Sequence, residues 1–220
     1  MGPMRSLILA VVLFSAAPCL AGQGQWSLSL SPGISVPVGE PGDSFENQHR
    51  TSSHLQAALN YEVDDGGWVG VELGYSAGHK FRGRMNGTDF DGDRKVDAVT
   101  FTSDIDTKML YLTPTVKVGG SLDAGLKYYF GVGAGLYTFW SGSGRAILSG
   151  RTAAGGDVTG TTVPFAEAAN SYTGLNIGHA LGYEITDNFE LDVDIRYHMI
   201  FQPENVAGIV VPALRFTFLF

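Results

Sequence analysis

The chain is poor in three things. It has one cysteine in 220 residues, so no disulfide can form within it and thiol pairing does not shape its fold. It is poor in charge, only 16%, and 14 Lys and Arg against 22 Asp and Glu leave a net charge of −8. A nucleic-acid partner needs a basic face, which this balance does not supply. It also lacks an apolar run of the roughly 20 residues that a membrane helix requires. What it has instead is glycine, 30 residues, with 9 Tyr and 13 Phe. That mixture is too apolar for a disordered chain and too rich in glycine for a helical bundle.

Residues 1–21 read as a secretory signal peptide. Arg5 gives a short positive start, Leu7 to Phe14 form a compact apolar run, and Cys19-Leu20-Ala21 end it with small residues. Cys19 could instead mark a lipid anchor, but Ala16-Ala17-Pro18 lacks the leucine and small-residue pattern expected before such a cysteine. The exported domain is therefore expected over residues 22–220, free of cysteine.

Beyond Gly22 the dominant period is two. Trp26, Leu28, Leu30, Ile34, Val36 and Val38 alternate with Ser27, Ser29, Ser31, Gly33 and Ser35. One apolar and one small polar face make a strand, not a helix. The same alternation runs through Leu55–Val63, Val69–Tyr75, Leu110–Val118, Tyr128–Trp140, Leu175–Tyr183, Phe189–Met199 and Val210–Phe220. Eight such segments result, several of them long enough to cross a membrane when tilted, which takes about 9–11 residues.

The connections alternate in length. Short links are expected at Asp64-Asp65-Gly66-Gly67, near Gly119-Gly120-Ser121, and at Thr186-Asp187-Asn188. Long polar ones are expected over 39–53, 79–106 and 141–171, the last rich in Gly, Ser, Thr and Ala and expected to be mobile, with a brief link at 202–207. Short turns on one side, long loops on the other and an even strand count are the pattern of an all-β, eight-stranded antiparallel up-and-down transmembrane β-barrel. Closure is obligatory, because backbone polar groups facing hydrocarbon must all be paired. On the apolar face, aromatics gather at both ends: Trp26, Tyr61, Tyr128, Tyr183, Phe189 and Phe218 near the short turns, Tyr75, Trp140, Tyr197 and Phe201 near the loops. A soluble, lipocalin-like barrel would put the large apolar residues inside, and glycines at 131, 133, 135, 174, 178 and 182 would line such a cavity poorly.

Two stretches carry a resemblance. "GLNIGHALGYEITDNFELDVDIRYHMIF" (Gly174–Phe201) is similar to the late hairpin of the small eight-stranded outer-membrane barrels of the opacity and outer membrane protein A type, and "ALRFTFLF" at the C-terminus resembles their closing strand. The resemblance implies a monomeric barrel in the outer membrane of a Gram-negative cell, surrounded by outer-membrane lipid and lipopolysaccharide. It also implies periplasmic chaperones and the barrel-insertion machinery as partners during biogenesis, with the terminal Phe220 as part of the signal that machinery reads. It says little about activity.

An eight-stranded barrel has an interior just wide enough for side chains to fill. The inward parity carries Glu62, Glu72, Glu184, Glu190, Asp192 and Asp194 against Lys117, Lys127, Arg196 and Arg215. Of these, Glu72, Lys127, Glu184, Asp192, Asp194, Arg196 and Arg215 are expected to form an internal ion-pair network, with glycines making room for the long side chains. Unpaired charges there would be costly. Exchangeable pairs, such as Glu72 with Lys127 or Arg215, would instead make a narrow gated pore.

A passage for small apolar molecules, as in barrels of the outer membrane protein W type, would need an apolar inner patch near the loops, where Tyr137, Phe139 and Ile200 lie. Lipid A-modifying barrels use a His-x-Ser pair on the lipid face. Lipid-facing His179 is followed by Ala180 and Leu181, and His198 by Met199 and Ile200, so no nucleophile–base pair is readable and the chain is expected not to be an enzyme. The long external loops are the expected working surface, structural or surface-interactive.

"DFDGDRKVD" (Asp89–Asp97) places Asp89, Asp91, Asp93 and Asp97 at the spacing of a calcium loop. The sixth and twelfth places of such a loop want Gly and Glu, and here hold Arg94 and Thr100. No cofactor is expected, beyond weak calcium ordering this loop against the plainer reading of a solvated acidic tip.

Overall fold

The computed structural model describes residues 24–38, 49–84, 98–203 and 206–220. The signal segment and Asp89 to Asp97 lie outside them. Ten strands follow in chain order: β1 (Trp26–Val38), β2 (Ser52–Asp64), β3 (Gly67–Arg84), β4 (Ala98–Asp123), β5 (Leu126–Ser141), β6 (Gly144–Arg151), β7 (Thr162–Phe165), β8 (Ala168–Thr186), β9 (Phe189–Phe201) and β10 (Val206–Leu219). Eight of them form a ring in the order β3-β2-β1-β10-β9-β8-β5-β4, closed by pairing of β3 with β4, and every neighbour is antiparallel. At the seam between the first and last strands, Trp26 and Phe220 exchange backbone hydrogen bonds of 3.0 and 2.9 Å.

The outside of the ring is apolar and the inside polar, the reverse of a soluble barrel. Leu30, Leu55, Leu73, Leu112, Val116, Leu181, Val193, Ile195 and Leu214 all face outward and exposed, while Glu72, Asp192, Asp194, Arg196 and Arg215 are buried. An exposed aliphatic belt of this extent is a lipid-facing surface. The aromatic residues at its two edges pair across strands. Trp26 packs on Tyr61 and Phe189 on Phe218, each with ring centroids 5.0 Å apart, near the short turns, and Tyr75 on Trp140 at 6.2 Å near the long connections.

Two expectations about the connections need correction. The short link after the fourth barrel strand is at Ala124-Gly125, not near Gly119-Gly120. Ala124 and Gly125 both have positive φ, 48° and 82°, as a two-residue hairpin of the primed type demands. Gly119 lies within β4 opposite Tyr129, and its N–H donates to the carbonyl of Gly66 at 2.8 Å. A Cβ there would stand 2.1 Å from the Tyr128 carbonyl oxygen. The glycine therefore marks a close approach of backbones rather than a turn.

The second correction concerns 79–106 and 141–171, which are not loops throughout. β3 and β4 continue past the barrel rim as a paired hairpin, with Arg82 to Arg84 opposite Thr102 to Thr100. β6 adds to Ala98–Ser103 of β4, and β7 adds to β6. Leu148 is buried and Ile147 exposed, so β6 has a packed face despite its small-residue surroundings. The result is an upright sheet on the side of the long connections.

Candidate functional site

β9 supplies the axis of the interior. Its inward residues Glu190, Asp192, Asp194, Arg196, His198 and Ile200 climb from the short-turn end to the opposite rim, and all are buried. The strand beside it on one flank carries Gly182, Ala180, Gly178, Asn176 and Gly174 at the matching heights. Small residues are required there. A Cβ on Gly182 would sit 1.8 Å from Asp192 Oδ1, and one on Gly178 would sit 2.7 Å from Arg196 Cγ.

At the short-turn end, Lys127 Nζ lies 2.9 Å from Glu184 Oε2 and also contacts Glu190. Tyr129 donates its hydroxyl proton to Glu190 Oε2 at 3.1 Å. Above this tier, Arg215 donates from Nε to Asp192 Oδ2 at 2.8 Å and from Nη1 to Asp194 Oδ2 at 3.0 Å, and Thr217 adds a bond to Asp192 at 3.3 Å. Next, Arg196 Nη1 donates to Glu72 Oε2 at 2.5 Å and to Asn176 Oδ1 at 3.2 Å, and Nη2 lies 3.5 Å from Asp194. Lys117 stands over the Tyr129 ring at 5.9 Å, near Arg215 at 5.6 Å over the same ring. In this middle tier three carboxylates (Glu72, Asp192, Asp194) face three cations (Lys117, Arg196, Arg215), all buried.

The structure thus brings the seven residues of the expected network into two groups, Lys127 and Glu184 at the short-turn rim, where Glu190 joins them, and Glu72–Arg196–Asp194–Arg215–Asp192 inside. Lys127 and Arg215, named as exchangeable partners of Glu72 in the pore reading, pair with other carboxylates. Glu72 is paired with Arg196, because β3 and β9 face one another across the lumen at that height. Glu62 sits at the short-turn end, accepting a bond from Gly66 N–H at 3.4 Å.

Above the charges the lumen changes character. Tyr111 donates to Gln56 Oε1 at 2.8 Å and stacks on Tyr137 at 5.3 Å, whose hydroxyl is hydrogen-bonded to His198 Nδ1 at 3.0 Å. Met109, Phe139, Ile200, Ala207, Ile209 and Val211 complete an apolar cluster with these two tyrosines, and Met109, Tyr137, Ile200 and Ile209 are 0% exposed. Sequence reasoning placed Tyr137, Phe139 and Ile200 here. It gave no role to Tyr111, Gln56 and His54, although all three have inward parity.

Two serine–histidine pairs occur inside: Ser76 with His54 at 2.8 Å and Ser35 with His79 at 3.1 Å. Their members are buried, and the second ring nitrogen of His79 is bonded to the Arg50 carbonyl at 2.8 Å. On the lipid face, His179 contacts the Tyr128 hydroxyl and packs on Phe130 at 5.1 Å. Among the described residues no group of three or more His, Cys, Asp or Glu is arranged to hold a metal ion.

The sequence matches the family model of the outer membrane protein beta-barrel domain over residues 6–210. The chain belongs to this family. Among solved structures, a major outer membrane protein from Thermus thermophilus aligns over 90% of this chain and 100% of its own, at 11% identity and a TM-score of 0.52. Neisserial surface protein A aligns over 90% and 96%, at 12% identity and 0.50. Ail, the attachment invasion locus protein of Yersinia pestis, aligns over 90% and 100%, at 16% identity and 0.47. At these identities the likeness is one of fold. No curated protein matches the sequence. As a member of the outer membrane protein beta-barrel domain family, the chain crosses its membrane by strands, and the polar column of its lumen is the inside of that barrel.

Proposed function

We propose that the protein is a closed, non-enzymatic barrel of the Gram-negative outer membrane, exported by its N-terminal signal segment, and that it works through its extracellular side. The observation that carries this reading is the filling of the lumen. A charge-balanced tier sits under an aromatic and aliphatic plug whose central side chains are 0% exposed. Buried, paired charges with further hydrogen bonds hold a unique interior rather than a water path. The upright sheet formed by the ends of β3 and β4 with β6 and β7 is the surface offered outward. Liposomes containing the protein should not swell in isotonic solutions of small neutral or charged solutes, and solute-dependent swelling above protein-free liposomes would refute the reading.

A second reading, passage of small apolar molecules, draws on the apolar cluster around Tyr111, Tyr137 and Ile200. It requires that cluster to part. A detergent or acyl chain bound within the upper barrel would favour it. For an enzyme of lipid A-modifying type, His179 offers aromatic neighbours and no hydroxyl nucleophile other than the Tyr128 phenol. Asp89, Asp91, Asp93 and Asp97 lie outside the described residues, and calcium binding by them is a proposal from their spacing alone. Weak binding there would give a calorimetric heat at millimolar calcium that is lost in Asp91→Asn/Asp93→Asn, and no heat would reject it.

A further inference from the structure

Above the plug, the lumen opens into a cavity of about 160 Å³ at the mouth of the barrel. It is built where β4, β5 and β8 make their last common rung, Thr107 opposite Ser141 and Ser141 opposite Ala168. Its floor is aromatic. Phe139 belongs to the plug, and Tyr172 packs against the plug with its ring 6.1 Å from that of Phe139. Its wall is polar and neutral. His49 Nε2 and Thr107 Oγ1 are joined at 3.1 Å, and Ser141, Asn170 and Gln202 stand around the floor with side chains that make no hydrogen bond among the described residues. Among the described residues no Lys, Arg, Asp or Glu lines it.

Each property narrows the occupant. The size matches one six-membered ring, since an engineered cavity of about 150 Å³ holds a benzene. An anion is not provided for, because among the described residues no cationic side chain lines the wall. A purely apolar ligand would displace water from two amides and a hydroxyl without replacing their hydrogen bonds. A ring that is apolar on one face and bears hydroxyls around its edge satisfies both parts at once.

The geometry points to a binding site for a single neutral sugar ring, held with its carbon–hydrogen face on Tyr172 and Phe139 and its hydroxyls on Asn170, Gln202 and Ser141. The ring is either a free monosaccharide or the terminal residue of a surface glycan. The inference rests on the reading that the barrel is closed beneath, because the plug is the floor of the site and the sugar is bound there rather than passed through.

The test is calorimetric titration of the protein in phospholipid nanodiscs, free of glycoside detergents. The probes are neutral aldohexoses, their trisaccharides, glucuronic acid, and benzyl alcohol as an apolar probe. One neutral hexose should bind in the millimolar range, and glucuronic acid should not. Tyr172→Ala should weaken binding by about tenfold and Tyr172→Phe by no more than about twofold. Gln202→Ala, at the end of a strand, serves if Tyr172→Ala fails to fold, and should also weaken binding. Trp140 borders the cavity and its fluorescence should shift on binding, a change absent in Trp140→Phe. Tighter binding of the trisaccharide identifies a glycan terminus, and equal binding a free sugar. Absence of binding by every neutral sugar, binding unaffected by Tyr172→Ala and Gln202→Ala, or binding of benzyl alcohol alone would overturn the proposal. Solute flux through the same preparation reports separately on closure, so a closed barrel without sugar binding refutes only this site.

Discussion

Glu72→Gln removes one charge from the middle tier and leaves its shape. Glu72 and Arg196 are 1% and 2% exposed and 2.5 Å apart. At an effective dielectric constant of 20, two unit charges about 4 Å apart attract by about 4 kcal/mol. Breaking a buried pair from one side costs about 3–5 kcal/mol, since the remaining charge stays buried. Arg196 keeps Asn176 at 3.2 Å and Asp194 at 3.5 Å, which places the expected loss at the lower end, about 3 kcal/mol. Arg196→Met should cost more, because Glu72 has no second ion pair among the described residues. The double variant should fall short of the sum by about 2 kcal/mol, the signature of two residues acting through each other. Urea unfolding of protein folded into phospholipid vesicles, followed by tryptophan fluorescence, measures all three. A loss below about 1 kcal/mol for Glu72→Gln, or strict additivity in the double variant, would show that the pair does not hold the interior as described.

Two further outcomes follow from the packing and the seam. Gly74→Ala would place a Cβ 2.2 Å from the Tyr111 ring, forcing that tyrosine off its hydrogen bond to Gln56, and should destabilise by about 1–3 kcal/mol in the same urea assay. Phe220→Ala should reduce the amount of barrel assembled in cells while leaving the stability of refolded protein unchanged. Its side chain is 67% exposed and only its backbone closes the seam with Trp26, so equal loss in both assays would assign Phe220 a packing role instead.

Strand positions and facing were legible in the sequence because side chains alternate with a period of two, and one shifted residue would turn a face such as Leu175–Tyr183 inside out. Gly174, Gly178 and Gly182 also announced that something large faces them. Which residue it is could not be read, because Glu72 and Arg196 are 124 positions apart and meet only through the geometry of closure. The turn at Ala124-Gly125 was hidden because Gly119-Gly120 looks like a turn and is a close backbone approach. The upright sheet was hidden because its strands are short and set among Gly, Ser and Thr, where pairing with β4 overrides weak local preference. The mouth cavity draws on residues from His49 to Gln202, no two of which form a motif.

The closure of the lumen by its own side chains is tested by recording ion current across planar phospholipid bilayers containing the protein, for the wild type and for Glu72→Ala. Both should show no steps above the protein-free background, since the plug of Tyr111, Tyr137 and Ile200 remains in place when the charge tier beneath it is cut. Discrete, reproducible conductance steps in the wild type, altered by Glu72→Ala, would mean that the charged tier lines a water path and that the barrel is a narrow pore.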